Sequence, residues 1–129
     1  MIEVKYCKEF EAEKLTLLCD GVNSRYGVLS MYCGLLDIEL HPDYESNGWI
    51  YFSYSCPSIE NEKLSNTAIM RARRDGTQLV DNEKIFQALP FTDKRHHFGC
   101  KLEFDNEGYL YFSVGDRGNR DRNPQTLDN

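Results

Sequence analysis

Apolar and polar positions alternate in a pair of strands that recurs along the chain. The stretch GWIYFS at residues 48–53 matches GYLYFS at 108–113, an offset of 60 residues from position 48 to position 108. Just upstream, GLLDIEL at 34–40 matches FGCKLEF at 98–104, an offset of 64 residues from position 34 to position 98. Alternation rich in aromatic and aliphatic residues is typical of strands with one buried face. The chain therefore contains a repeated pair of strands.

The two offsets differ because the connection inside the first pair is longer. HPDYESN at 41–47 joins its strands, whereas the three residues 105–107 stand at the same point of the second pair. Turns lie at the surface and tolerate insertions, so the difference leaves the repeat intact. A repeat of this length built from strands is typical of a β-propeller, in which each unit buries its face by stacking on the next.

Two further strands are predicted between the repeated pairs. Residues 67–73 alternate, with alanine and methionine on one face and isoleucine and arginine on the other. An Asp-Gly turn signal follows, and residues 84–89 form the next apolar stretch. We expect an all-β fold, a partial β-propeller of about one and a half blades. The first sheet is predicted to be antiparallel and to comprise residues 35–40, 49–55, 67–73 and 84–89. The second is predicted to begin with residues 100–104 and 109–114 and to pack face to face on the first.

The composition of the 129-residue chain narrows the classes of partner. The net charge is −6 at pH 7 and lysines and arginines form no dominant cluster, so no nucleic-acid-binding surface is expected. The five cysteines include no Cys-x-x-Cys pair, which disfavours a zinc or redox site. Apolar stretches are short, and none follows a basic start, so neither a signal peptide nor a membrane-spanning helix is predicted.

The candidate chemistry lies at the ends of the second strand pair. His96 and His97 precede its first strand, and Asp116 follows its second strand within GDRG at 115–118. Antiparallel neighbours joined by a short turn bring these ends together. The imidazole of His97 and the carboxylate of Asp116 are therefore predicted to be neighbours. A carboxylate beside an imidazole fixes the tautomer and raises the basicity of the ring, as a general base requires.

Other interpretations of these residues stay open. A loop pair of histidines without a role, and a solvated turn in which Asp116 bonds its own backbone, both fit the local pattern. A metal site on His96 and His97 is disfavoured, because adjacent residues of a strand point to opposite faces. Arg117 and Arg120 are expected at the surface. Four aromatic residues are expected to pack between blades rather than to stack on a sugar: Trp49, Tyr51, Tyr109 and Tyr111.

An ordered series of motifs carries a family resemblance. The longest motifs are GLLDIELHPDY at 34–44 and NGWIYFSYS at 47–55. They are followed by IF at 85–86, HHFG at 96–99, the turn and strand at 105–111, GDRG at 115–118 and QTLD at 125–128. In this order and spacing, the chain resembles the soluble quinoprotein glucose/sorbosone dehydrogenase family, which includes bacterial aldose sugar dehydrogenases.

The resemblance implies a six-bladed β-propeller that holds pyrroloquinoline quinone (PQQ) over its central channel, with calcium activating the quinone. It also implies oxidation of the anomeric carbon of an aldose to a lactone. His97 takes the position of the general base that removes the anomeric hydroxyl proton, and Asp116 that of the acidic residue supporting it. In the family the quinone and calcium are held mainly by later blades, so no residue here is assigned to them. The family is usually periplasmic or secreted.

The resemblance also implies that the chain is a fragment. Residues 1–33 are expected to be a poorly defined N-terminal segment, and residues 34–129 a partial propeller domain that is inactive alone. The alternative is a non-catalytic β-sheet fragment or interaction module that pairs with another chain, because open sheet edges invite self-association. A calcium-dependent lactonase propeller is a third interpretation, against which HHFG and GDRG argue.

Overall fold

The computed structural model describes residues 34–61, 63–76 and 78–125, and this part of the chain is built mainly of strands. None of the helices in these ranges is long and apolar enough to cross a membrane. The predictions for residues 1–33 and 126–128 lie outside the described residues. The elements are β1 Leu35–Leu40, α1 Tyr44–Asn47, β2 Trp49–Pro57, β3 Ser65–Asp75, β4 Gln78–Gln87, β5 Gly99–Phe104, β6 Leu110–Val114 and a 3₁₀ turn Asn123–Gln125.

The strands form two antiparallel sheets, as the alternation predicts. The first sheet has the order β1-β2-β3-β4, and the second consists of β5 and β6. Each strand pairs with its neighbour in sequence, so short connections suffice throughout the first sheet. The described residues therefore contain one complete four-stranded unit and the first two strands of another.

The hairpin formed by β3 and β4 is longer than predicted. The sequence placed its second strand at 84–89, but β4 begins at Gln78, which pairs with Asp75 across a turn containing Gly76. The first half of β4 was not predicted, because its polar side chains interrupt the apolar pattern. Arg71 and Glu83 pair across it at 2.7 Å.

The longer connection between β1 and β2 forms the single turn α1. Gly48 ends this turn with a φ of 67°, which a residue without a side chain adopts most readily. His41 holds the loop from inside, since its Nδ1 accepts the N–H of Asp43 at 3.0 Å and lies 2.9 Å from the amide nitrogen of Asn47. The longer connection at 41–47 is thus a hydrogen-bonded helical turn.

The two faces of the first sheet bury different sets of side chains. On one face, the alanines and methionine of β3 pack with alternate residues of β2, as predicted for strand 67–73. Ala68 and Phe52 are completely buried there. The full cluster comprises Phe52, Tyr54, Cys56, Ala68, Met70 and Ala72.

The other face of the first sheet packs against the second sheet, which confirms the predicted face-to-face arrangement. Tyr51 and Ile69 meet Cys100 and Leu102 of β5, and Leu102 is fully buried. The carboxylate of Asp37 accepts the backbone N–H of Leu102 at 2.7 Å. This hydrogen bond joins strands of different sheets and fixes where β5 lies along β1.

Aromatic side chains contribute to this packing, in part as predicted. Tyr51 meets Phe104 edge to face, with ring centroids 5.0 Å apart. Trp49 also packs against the cluster that joins the two sheets, and it lies beneath two guanidinium groups. Tyr109 and Tyr111 are 63% and 60% exposed, and no described strand covers them, so their packing between blades stays a prediction.

Candidate active site

His97 and Asp116 are brought together by the ends of the second sheet. His97 lies two residues before β5 and Asp116 two residues after β6. Nδ1 of His97 is 2.9 Å from Oδ1 of Asp116, a hydrogen-bond distance. The predicted neighbourhood is therefore present, and their catalytic roles remain a prediction.

Main-chain contacts hold the two segments against each other. The N–H of Arg117 donates to the carbonyl of His97 at 2.9 Å, and the N–H of Gly115 donates to the carbonyl of Phe98 at 3.2 Å. A Cβ at position 115 would overlap the His97 carbonyl. Glycine at this position thus permits the close approach on which the pair depends.

The backbone of His97 corrects one expectation from the sequence. His96 and His97 were expected to point to opposite faces, but their ring centroids lie 4.5 Å apart at an interplanar angle of 77°. The residues precede β5 rather than belong to it, and His97 has a φ of 59° in the left-handed region. Such a conformation bends the chain and removes the alternation of a strand.

Gly118 makes room for the ring of His96. A Cβ there would lie 2.7 Å from Nε2 of His96, and Gly118 has a φ of 75°. Two independent constraints, space and backbone conformation, therefore favour glycine. His96 packs over the turn that follows Asp116 and against the edge of His97.

The environment of Asp116 favours its charged form. The backbone N–H of Gly118 donates to Oδ1 at 2.8 Å and is the main cause that lowers the pKa of this carboxyl. The ring of His97 lowers the pKa further, whereas burial acts in the opposite direction. Because the His97 side chain is 63% exposed while that of Asp116 is only 25% exposed, the pair presents its imidazole to solvent.

Arg117 is buried, so its predicted surface position is wrong. The residue is only 4% exposed, and its guanidinium donates to the carbonyls of Gly115 at 2.6 Å and of Leu89 at 3.3 Å. Burial lowers the pKa of this side chain, against the effect of Asp116. Nothing in the sequence indicates that main-chain carbonyls would be the hydrogen-bond partners of Arg117. Arg120, by contrast, is 85% exposed in its side chain, as predicted.

Asn123 is a residue near the site that the sequence reading missed. It is 5% exposed and donates from Nδ2 to the main-chain carbonyl of Asp116 at 2.8 Å. The polar run from residue 119 onward looked like a solvated tail. The Asn-Pro step at 123–124, a common start of a turn, was the available signal for local order.

The implied calcium and quinone are assigned no ligand among the described residues. No group of three or more His, Cys, Asp or Glu side chains in these ranges is placed to hold a metal ion. The guanidinium of Arg117, the buried cation next to the pair, donates to two main-chain carbonyls. That the quinone and calcium are held by other segments stays a prediction.

Comparison with known proteins identifies the relatives of the chain. Residues 13–129 match the family described as glucose/sorbosone dehydrogenase. An aldose sugar dehydrogenase of Escherichia coli strain K12 is 33% identical over 89 residues, and the quinoprotein glucose dehydrogenase B of Acinetobacter calcoaceticus is 30% identical over 90 residues. These matches cover 67% and 66% of this chain, but only 24% and 18% of those proteins.

A solved structure shares the fold. A glucose dehydrogenase superposes with a TM-score of 0.64 and 29% sequence identity over 70% of this chain and 28% of that chain. The matched stretches are thus less than a quarter of the length of these two relatives. The described sheets are part of a β-propeller, of which they form one blade and the start of the next.

Proposed function

Because the chain belongs to the glucose/sorbosone dehydrogenase family, we propose that it is part of an enzyme that oxidises the anomeric carbon of an aldose to a lactone. The single observation that carries the assignment of roles is the 2.9 Å contact between Nδ1 of His97 and Oδ1 of Asp116. The names of two relatives, an aldose sugar dehydrogenase and a quinoprotein glucose dehydrogenase, support the substrate class.

In this proposal His97 is the general base. When Nδ1 carries its proton toward Asp116, Nε2 is left with a lone pair on the exposed side of the ring. Nε2 takes the proton of the anomeric hydroxyl while the hydrogen on the same carbon leaves as hydride, and the carbon–oxygen bond becomes the lactone carbonyl. Asp116 stabilises the imidazolium that forms, because its carboxylate stays charged.

The reaction needs an acceptor for the hydride, that is, for two electrons and a proton, and we propose that this acceptor is PQQ. The support is the printed name of one relative, a quinoprotein glucose dehydrogenase. As the family resemblance implies, the ligands of the quinone and of calcium are proposed to belong to other segments of the family's longer chains; the described residues contain no group of three or more His, Cys, Asp or Glu placed to hold a metal ion.

A second candidate function is a non-catalytic module that pairs with another chain. The observation in its favour is the outward face of β6, where Tyr109 and Tyr111 are 63% and 60% exposed. Exposed aromatic residues two positions apart on the same face are unusual on the surface of a monomeric protein and are common where another protein surface packs.

The test of the first proposal is a graft. Residues 34–129 replace the matching segment of a full-length relative, and kcat is measured with a saturating aldose and quinone. We expect His97→Ala to lower kcat by about 10²- to 10⁴-fold, the usual cost of losing a general base. Asp116→Asn should cost less, since the imidazole stays in place but loses its charged partner.

Two controls define the outcome of the graft. His96→Ala should be mildest of the three, because His96 contacts the edge of the His97 ring and does not bond Asp116. Asp93→Asn, at an exposed aspartate whose side chain is 73% accessible, should leave kcat unchanged. A His97→Ala graft with normal kcat would reject the base role, and a graft more impaired by His96→Ala would transfer that role to His96.

A further inference from the structure

One peptide group joins the candidate base to its support. The N–H between Asp116 and Arg117 donates to the carbonyl of His97 at 2.9 Å. The carbonyl of the same peptide group accepts the N–H of Asn119 at 3.0 Å and Nδ2 of Asn123 at 2.8 Å. The orientation of the plane of this peptide group therefore affects both the position of the His97 main chain and the direction in which the Asp116 side chain points.

The conformation of Arg117 makes that plane sensitive to its hydrogen bonds. Arg117 has a φ of 50°, a left-handed conformation that a residue with a side chain adopts only when its surroundings impose it. The turn that results directs the N–H of Gly118 onto Oδ1 of Asp116 at 2.8 Å. If the peptide plane rotated, this hydrogen bond and the alignment with His97 would change together.

Asn123 is anchored independently of Asp116. Its backbone N–H donates to the carbonyl of Asn119 at 2.9 Å, and the residue opens the 3₁₀ turn Asn123–Gln125. The side chain is 95% buried in a loop of otherwise exposed polar residues. Burying an amide group costs free energy unless the group forms hydrogen bonds. Within the described ranges, Nδ2 of Asn123 forms such a bond with the carbonyl of Asp116.

We propose that Asn123 is a positioning residue for the His97–Asp116 pair. It holds the peptide plane after Asp116 so that the carboxylate faces Nδ1 of His97, and it acts through Asp116 without touching the reacting atoms. The inference rests on the proposed function, because it assigns Asn123 to the same pair. A purely structural role would stabilise the loop without affecting the protonation site of the His97 ring.

The test measures the His97 tautomer directly in the full 129-residue chain. The chain is labelled with ¹⁵N on its histidine rings, and NMR spectra are recorded at a pH where the imidazoles are neutral. In the wild type we expect the proton of His97 on Nδ1, held by Asp116. In Asn123→Leu, which keeps the side-chain size but has no donor, we expect a large part of the population to carry the proton on Nε2 instead.

Matched variants separate the outcomes of this test. Asp116→Asn should move the His97 proton as strongly as or more strongly than Asn123→Leu. Asn82→Leu, at a partly buried asparagine in β4 remote from the pair, should leave it in place. Asn123→Ala provides the same loss of donor with less bulk, and it decides the question if the leucine variant does not fold.

Each result bears on one of the two proposals. If Asp116→Asn moves the His97 proton but both variants of Asn123 leave it on Nδ1, the positioning role is overturned and the proposed function stands. If the wild-type proton is on Nε2, or if Asp116→Asn does not move it, the pair itself fails and with it the proposed base. A proton shifted by Asn123→Ala and retained in Asn82→Leu supports the inference.

Discussion

The carboxylate of Asp116 accepts the backbone N–H of Gly118 and lies within hydrogen-bond distance of the His97 ring, at a position held by main-chain hydrogen bonds. Gly118 donates from the backbone, His97 lies against the same oxygen, and the peptide that follows is bound at both ends. Such a carboxylate needs no movement when the neighbouring imidazole gains a proton. This fixed arrangement is what a supporting acid contributes to a general base.

Acid stability reports on carboxylates of this kind. Asp105 resembles Asp116, since the backbone N–H groups of Tyr109 and then Glu107 lower its pKa below the ordinary 3.8. A group whose pKa is lower in the folded state stabilises the fold above its unfolded pKa, and this contribution is lost as the pH falls through the folded value. We therefore expect Asp105→Asn to be less stable than the wild type at neutral pH, with the difference narrowing as the pH falls below the ordinary aspartate pKa of 3.8 and through the lower folded pKa.

Urea unfolding at several pH values measures this change. Glu107→Gln, an exposed substitution in the same turn, serves as the control and should show a difference that is small at every pH. A gap between Asp105→Asn and the wild type that stays constant with pH would contradict the expectation, because it would mean that the charge of Asp105 does not contribute.

Among single residues, the sequence located the pair but not its surroundings. Antiparallel pairing is a rule of the backbone, so the meeting of His97 and Asp116 followed from the two strands that they flank. The left-handed φ of His97 has no signal in the sequence, and the buried Arg117 donates to the carbonyl of Leu89, which lies far away along the chain. Long-range partners of this kind are visible only once the fold is assembled.

At the scale of elements, a hydrogen bond from the second sheet to the first contributes to their docking, beside the apolar cluster between them. Asp37 accepts the N–H of the fully buried Leu102, while Lys101 approaches the same carboxylate at 3.7 Å with an exposed side chain. Asp37→Ala would leave that backbone N–H without its acceptor, and we expect a loss of about 1–3 kcal/mol in the free energy of unfolding.

Two related variants test the origin of that loss. Asp37→Asn keeps an oxygen acceptor and should cost less than Asp37→Ala. Lys101→Ala removes only an exposed ion pair and should cost at most about 1 kcal/mol. Urea unfolding gives the three values, and a Lys101→Ala variant as damaging as Asp37→Ala would show that the ion pair, rather than the hydrogen bond, matters.

The repeat predicted the strands well because it combined two independent signals. Apolar alternation gave β1, β2 and β3, and the matching GYLYFS stretch fixed β6 by comparison with β2. The first half of β4 was missed, since the polar residues Asp81, Asn82 and Glu83 interrupt its apolar positions. Its strand conformation comes from pairing with β3, a tertiary effect that overrides the local composition.

On the scale of the whole molecule, equivalent positions of the repeat face different surroundings. Tyr51 of the first pair is 7% exposed, because β5 covers it, whereas Tyr111 at the equivalent position of the second pair is 60% exposed. Position in the stack, and not residue type, decides which of the two tyrosines is buried.

The division of the site among segments leads to a prediction about activity. The 129-residue chain, given PQQ, calcium, glucose and a dye acceptor, should show no dye reduction above background. The proposed base and its support are only part of such a site, and the ligands of PQQ and calcium are proposed to lie in other segments of the family's longer chains. A full-length relative assayed in parallel is the control. Dye reduction that requires both added cofactors would contradict the prediction.

Trp49 is the only tryptophan of the chain, and it lies beneath the guanidinium groups of Arg71 and Arg73, 4.5 and 4.4 Å from its ring. All three side chains belong to β2 and β3, and the indole also packs against the cluster that joins the two sheets. Its emission therefore reports both the pairing of β2 with β3 and the docking of the second sheet. Its signal can be compared with that of a probe attached to β6. Two optical transitions at different urea concentrations would then separate release of the second sheet from melting of the first.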